Sequence, residues 1–316
     1  MLHIAIVDVD VPVPTVYAAC GLYSSQFRTL LQSATSRLNL PASSIYTTAF
    51  DAVGGSLPPL QSLRTSPRLI ANGAVSKAGE EEYKPNPLSL PIDGILITGS
   101  GAAAYEAAKH PWIIPLQSFI QTVFDEFPHV RLFGSCFGHQ IIAQALLSSP
   151  ARTRTQASDS PSVVVEACPR GSEMGLASIK LTSEFGAHFP MLSTSLPVPN
   201  EMRLQMIHGD WVALLPGLMK LPAPWVNVGS TEMCPLQGLF YPGRVLTYQG
   251  HFEFDVFVTS ETCVEFGRRY GWDTVDVQRY LGLIGKGRVE GVVEDVDDAR
   301  VAAEVVVLFF SGVIGY

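Results

Sequence analysis

The apolar positions divide the chain into a first half of long runs alternating with amphipathic segments and a second half of shorter stretches. Leu2–Val9 is a continuous run rich in Ile and Val, ended by Pro12 and Pro14, which reads as a strand buried on both faces of a parallel sheet. Phe27, Leu30, Leu31 and Ala34 recur at helical spacing and predict a crossover helix over Tyr23–Leu38. Ile45–Val53 predicts a second strand, and Ile92–Thr98 (IDGILIT) a third, closed by Gly99, Ser100 and Gly101. Trp112, Leu116, Phe119 and Ile120 mark one face of a helix over Trp112–Phe124. Val130–Phe133 is the fourth strand, and a helical segment, His139–Leu147, follows. Strands alternating with helices predict an α/β fold: a doubly wound, mostly parallel central sheet with crossovers on both faces.

The remaining segments qualify that plan. Gly54–Pro91 carries many Pro, Ser and Gly residues and predicts a long surface excursion with one short helix, the kind of segment that often serves as a lid or binding loop. Acceptor selectivity is expected there. Arg152–Ser162 is polar and reads as a connection. Beyond it lie short strands at Val163–Ala167, Leu176–Leu181, Leu204–Ile207, Trp225–Gly229, Gln237–Tyr241 and Val245–Gln249, a β-rich extension of the same domain. Helices over Ser260–Tyr270, Thr274–Leu283 and Asp297–Phe310 close the chain, the last apolar nearly all round and therefore packed on the body. The expected division is one domain over 1–270 and a helical extension over 271–316 packed on it.

Composition narrows the partners. Hydrophobic residues make up 47% and charged residues 16%, which is the balance of a globular protein rather than a disordered one. The net charge of −8 comes without a basic run, so neither nucleic acid nor a membrane surface is expected as a partner. The start of the chain lacks a signal peptide's charged region and cleavage site, and no apolar stretch approaches a bilayer span. Five scattered cysteines form neither a disulfide framework nor a metal site, so a cytoplasmic protein with reduced thiols and no cofactor is expected.

The chemistry centres on Gly134-Ser135-Cys136-Phe137-Gly138, set between the fourth strand and its helix. This is the layout of a nucleophile elbow, in which a sharp turn holds the nucleophile in a strained backbone conformation and small neighbours let strand and helix approach. A cysteine there sits over a helix N-terminus, whose free N–H groups and dipole favour a thiolate. A cysteine nucleophile needs a base, and the base an orienting group. His251 and Glu253, two apart in Gly250-His251-Phe252-Glu253, point to the same side of an extended segment and can serve in those roles. The order Cys, His, Glu differs from that of α/β-hydrolases, where the acid precedes the histidine.

These residues resemble the class I glutamine amidotransferases over roughly residues 1 to 270. The matching pieces are Ile97-Thr98-Gly99-Ser100-Gly101, the elbow continuing into His139-Gln140, Met206-Ile207-His208-Gly209-Asp210, and Tyr248-Gln249-Gly250-His251-Phe252-Glu253. The texture is that of stand-alone members from fungi and plants, which lack a fused synthetase, γ-glutamyl peptidases among them. The resemblance implies a flavodoxin-like sheet and a Cys136–His251–Glu253 triad. It also implies an oxyanion hole from the backbone N–H groups of Phe137 and of Gly99 or Ser100, and a substrate contact from Gln140. The substrate implied is a small γ-glutamyl compound, glutamine or a glutathione-type peptide. His139 is expected to be structural, and His208 and Asp210 to serve a turn or line the site. One departure stands out: the family usually has proline between His and Glu, where this chain has Phe252. Ammonia handed to a separate synthetase or biosynthetic partner protein, γ-glutamyl peptide cleavage, and an inactive interaction protein keeping the fold are the readings left open. With no room for an ATP-using synthetase domain, the chain is expected to act as a peptidase or within a two-protein assembly.

Overall fold

Strand β1 (Leu2–Asp8) is buried along its whole length, and its side chains alternate between two cores. Leu2, Ile4 and Ile6 enter one, and Ala5 and Val7 the other, as the period of a strand with both faces covered requires. The structure, a computed structural model, describes residues 1–40, 45–68, 86, 89–148, 161–286 and 297–312. Beyond β1 the chain passes through α1 (Pro14–Cys20), α2 (Tyr23–Arg37), β2 (Ile45–Asp51), β3 (Gly94–Ile97), α3 (Ile113–Glu126), β4 (Arg131–Ser135) and α4 (Phe137–Ala143). It continues as β5 (Val163–Ala167), β6 (Glu173–Leu181), α5 (Ser183–His188), α6 (Leu192–Ser195), β7 (Glu201–His208) and β8 (Asp210–Leu214). The last elements are β9 (Val226–Asn227), β10 (Gly229–Ser230), β11 (Leu239–Tyr241), β12 (Val245–Tyr248), α7 (Val256–Tyr270), α8 (Thr274–Ile284) and α9 (Ala299–Ser311).

The main sheet has seven strands in the order β2–β1–β3–β4–β12–β11–β9. The first five are parallel, and β11 and β9 extend the edge in antiparallel fashion. Helices α3 and α4 cover one face, and α2 and α9 the other. The doubly wound α/β reading is therefore the observed architecture. The β-rich extension resolves into a three-stranded sheet, β10–β6–β7, and a β5–β8 pair. The chain over Trp225–Gly229, expected as one strand, splits between two sheets: β9 joins the main sheet, whereas Gly229 pairs with Leu181. Helix α1 starts at Pro14, soon after Pro12, because Pro14 occupies its first turn, where a missing N–H costs nothing.

Of the excursion Gly54–Pro91, residues 69–85 and 87–88 lie outside the described residues. The described part holds one short turn of helix, Leu60–Ser62, and a bridge from Leu63 to Ile92. Of Arg152–Ser162, residues 152–160 lie outside the described residues as well. Among the described residues, no helix is long and apolar enough to cross a membrane.

Helix α9 packs along α2, where Arg37 and Glu304 pair at 2.5 Å. Its Phe310 ring lies 6.4 Å from that of Phe133, under the central strand β4, and its carbonyl accepts a hydrogen bond from Arg131 at 2.8 Å. The ring occupies the space a side chain at Gly94 would need. The closing helix is thus locked against the strands that carry the elbow. Gly94→Ala is expected to lower unfolding stability by about 1–3 kcal/mol through overpacking, and Phe310→Leu added to it to recover part of that loss. Urea unfolding of both variants checks the coupling.

Candidate active site

The expected triad, oxyanion-hole and elbow residues and Gln140 lie at or beyond the carboxyl ends of β3, β4 and β12, where open α/β sheets place their ligands, whereas His208 and Asp210 come from the end of β7 and the start of β8. Cys136 stands at the turn from β4 into α4 with φ 51° and ψ −105°, a positive φ that a side chain rarely adopts. Two glycines make the turn possible. A Cβ on Gly134 would run into the backbone of Gly138, and one on Gly138 into the carbonyl of Ile97 on β3. The Cys136 amide is held by the Tyr248 carbonyl of β12 at 2.9 Å. Phe137 opens the helix, so its N–H is one of the donors without an acceptor in the helix. Its ring enters the core against Trp112. After Ala143 the helix widens to a π-helical turn over Gln144–Ser148.

The turn after β3 faces this elbow. A Cβ at Gly99 would stand 3.1 Å from His251 Cε1 and 3.6 Å from Cys136 Cβ, so both side chains flank it. Asp10, beyond β1, fixes the turn by accepting from the Gly101 amide at 2.9 Å and from the Ser100 hydroxyl at 3.2 Å.

His251 and Glu253 follow β12. The His251 amide donates to the Gln205 carbonyl of β7 at 2.8 Å, tying this segment to the second sheet. His251 Nδ1 lies 2.7 Å from Glu253 Oε1, which also accepts from the Ser135 hydroxyl at 2.9 Å. The elbow strand thereby supports the carboxylate that orients the imidazole. Phe254 stacks on the imidazole with centroids 4.0 Å apart and planes 8° from parallel. Phe252, between the histidine and the glutamate, is buried among Phe27, Phe133 and Tyr248 at centroid distances of 5.4, 5.7 and 6.2 Å. Burial pulls the His251 pKa down, but the charges of Glu253 and Cys136 overcome it and hold the imidazole raised, at about 10.

Polar side chains form a relay beside the thiol. Gln249 Nε2 donates to Cys136 Sγ at 3.6 Å, and its Oε1 accepts from Gln140 Nε2 at 3.2 Å. Gln140 also donates to the Asp210 carbonyl at 3.2 Å, and Tyr105 donates to the Asp210 carboxylate at 2.9 Å. His208 spans the Asp210 carbonyl and Glu173, with Nε2 3.1 Å from Glu173 Oε2. His139 is fully buried against the Thr247 hydroxyl, and burial pushes its pKa down to about 3, so it stays neutral. Sequence reasoning did not single out Gln249, Ser135 or Asp10. Gln249 lies inside the Tyr248–Glu253 stretch and could have been found there, whereas Ser135 and Asp10 act through partners distant in the chain.

Cys136 opens into a cleft of about 200 Å³ lined also by Ser100, Gln140, His208, Asp210 and, from the end of α7 and just beyond it, Phe266, Tyr270 and Trp272. No described residue of the Gly54–Pro91 excursion lines it; the outer wall belongs to the end of α7 and to Trp272 just beyond it. Cys20, Cys168, Cys234 and Cys263 are free thiols outside the cleft.

No family model matches the chain. It is 29% identical over 258 residues to a glutamine amidotransferase-like protein of Schizosaccharomyces pombe, covering 82% of each sequence. It is 29% identical over 163 residues to gamma-glutamyl peptidase 4 of Arabidopsis thaliana, covering 52% of this chain and 54% of that protein. A crystal structure of a glutamine amidotransferase from Thermotoga maritima shares the fold at 13% identity, with a TM-score of 0.56 over 98% of this chain and 97% of that one. The chain is therefore similar in sequence to a fungal glutamine amidotransferase-like protein and to a plant γ-glutamyl peptidase, and it shares its fold with a bacterial glutamine amidotransferase.

Proposed function

We propose that the protein hydrolyses γ-glutamyl amides through a covalent thioester on Cys136. The observation that carries this reading is a cysteine on a strained elbow next to a buried imidazole whose Nδ1 lies 2.7 Å from Glu253. With the proton that Cys136 gives up held on the His251 imidazolium, the sulfur attacks the amide carbon of the γ-glutamyl group. The tetrahedral oxyanion is stabilised by the N–H groups of Phe137 and of Gly99 or Ser100, which stand ready before charge develops. His251 returns its proton to the leaving amine as the C–N bond breaks. Water then attacks the thioester, giving its proton to His251, and glutamate leaves with the thiolate restored. Glu253 holds the imidazole through Nδ1 and stabilises the imidazolium. Gln140 holds the substrate, and Gln249 orders the sulfur.

The leaving amine is ammonia when glutamine is the substrate and an amino acid or peptide when a glutathione-type compound is. The similarity to a plant γ-glutamyl peptidase favours the second, and the glutamine amidotransferase-like relative the first, with ammonia passed to a separate synthetase or biosynthetic partner protein. The free cysteines are in keeping with a cytoplasmic setting.

Cys136→Ala is expected to abolish release of glutamate or any other γ-glutamyl product while the thermal unfolding curve is kept. Mass spectrometry with glutamine, glutathione and a glutathione conjugate reads this out, and unchanged turnover would sink the mechanism. The raised His251 pKa sets the pH dependence. The imidazolium needed to protonate the leaving amine persists through neutral pH and is lost as pH rises through about 10, so the alkaline limb of kcat/KM falls there. Glu253→Gln removes a negative charge that favours the imidazolium. That limb then moves to lower pH, and kcat falls by roughly 10²-fold or more. A pH–rate profile of both proteins tests the sign.

A further inference from the structure

The cleft has two unlike walls. On one side, the Gln140 amide and the Asp210 carboxylate, the latter held by Tyr105, present polar groups. On the other, the last turn of α7 carries Phe266 and Tyr270, and Trp272 follows one residue beyond the Gly271 cap. Gly271 terminates the helix in the left-handed conformation, φ 65°, so that Trp272 folds back beside Tyr270 with centroids 6.3 Å apart. The Trp272 amide donates to the Gly267 carbonyl at 2.9 Å, and its ring is braced edge-on by Tyr280 at 5.5 Å. Phe266 and Tyr270 contact each other at 5.5 Å. The wall also reaches the turn after β3: a Cβ on Gly101 would lie 3.4 Å from Tyr270 Oη and 3.5 Å from Phe266 Cζ. These aromatics are fixed in place, yet Tyr270 is 56% exposed and contributes little to the core.

From this arrangement we infer that the Phe266–Tyr270–Trp272 wall is a subsite for the leaving amine, and that it selects γ-glutamyl amides whose amine carries a flat aromatic group. The inference rests on the proposed γ-glutamyl hydrolysis. The γ-glutamyl half bears an α-ammonium and an α-carboxylate, which require the polar wall. The other half of the amide then faces the aromatic one. Ammonia offers no apolar surface to such a wall, whereas an aromatic amine buries its ring face against rings already held at the right spacing. Rigid aromatic surfaces give affinity at small entropic cost, since little side-chain freedom remains to be lost.

The full-length protein is assayed for kcat/KM on glutamine, on γ-glutamyl-para-nitroanilide and on γ-glutamyl-phenylalanine. The last two separate an arylamine from an aromatic amino acid as the leaving group. The wild type is expected to favour at least one aromatic amide over glutamine by about 10-fold or more. Tyr270→Ala and Trp272→Ala lower kcat/KM for that amide by about 10-fold, chiefly through KM, and change glutamine turnover less than about 2-fold. Trp272→Phe, which keeps an aromatic face, restores most of the loss. Equal losses on glutamine and the aromatic amides, or unchanged kcat/KM on both aromatic amides in Tyr270→Ala with its unfolding curve intact, would overturn the subsite while leaving γ-glutamyl hydrolysis standing. If none of the three substrates is cleaved in a Cys136-dependent way, the hydrolysis reading fails, and this inference with it.

Discussion

The close approach of β4 to α4 at Cys136 is the constraint on which the site depends. A non-glycine residue at positive φ costs on the order of 1–3 kcal/mol and persists only where the surroundings over-determine it. Here they do so from several sides. Gly134 and Gly138 remove the Cβ atoms that would push strand and helix apart, and the absent Cβ of Gly138 lets α4 lie directly on the Ile97 carbonyl. Tyr248 on the neighbouring strand takes the Cys136 amide. Phe137 and Ile141 drive the helix into the core behind it. The strain is thus offset by burial that the parallel sheet would make in any case, and the sulfur is left at the strand ends with unpaired N–H groups beside it.

The same strand supplies the support for the acid. Ser135, one residue before the nucleophile, donates to the carboxylate oxygen that faces His251 Nδ1. A shift of β4 would therefore displace nucleophile, acid and base together rather than one against another. Asp10 does the equivalent for the facing turn, where its carboxylate replaces the missing partners of the Ser100–Gly101 segment. Two sequence-distant carboxylates, Asp10 and Glu253, hold the two sides of the site in register. The outer wall comes from a third element, α7, which packs separately on α1, α8 and β7.

Much of this was legible in the chain because the parallel strands are continuous apolar runs bounded by glycine and polar residues. The elbow was legible because its glycines are demanded by sterics rather than by partners. What escaped depends on tertiary context. Strand β8 was missed because Asp210–Leu214 is too short to show a period and is defined by pairing with β5. Helices α5 and α6 are a turn or so each and carry little periodicity. Trp225–Gly229 reads as one apolar strand, but Gly238 packs so tightly on Val228 and Thr247 that the segment bends and its two ends join different sheets. Gln249, Ser135 and Asp10 are ordinary polar residues until their partners, over 80 positions away, are known. Acceptor selectivity was expected in the Pro-rich excursion, of which residues 69–85 and 87–88 lie outside the described residues, because loop composition is visible in sequence. That a C-terminal helix lines the cleft is a matter of packing, which is not.

Phe252 carries a consequence for how the site comes into being. A proline between the histidine and the glutamate would restrict that dipeptide in the unfolded chain as much as in the folded one. Phenylalanine imposes no such local restriction; its ring finds its place only when Phe27, Phe133 and Tyr248 have already come together from three distant parts of the chain. The relation between imidazole and carboxylate is therefore not inherited from local geometry but conferred by consolidation of the core. A partly folded form, with its sheet drawn together but its aromatic interior still fluid, would hold every reactive group and none of their alignment.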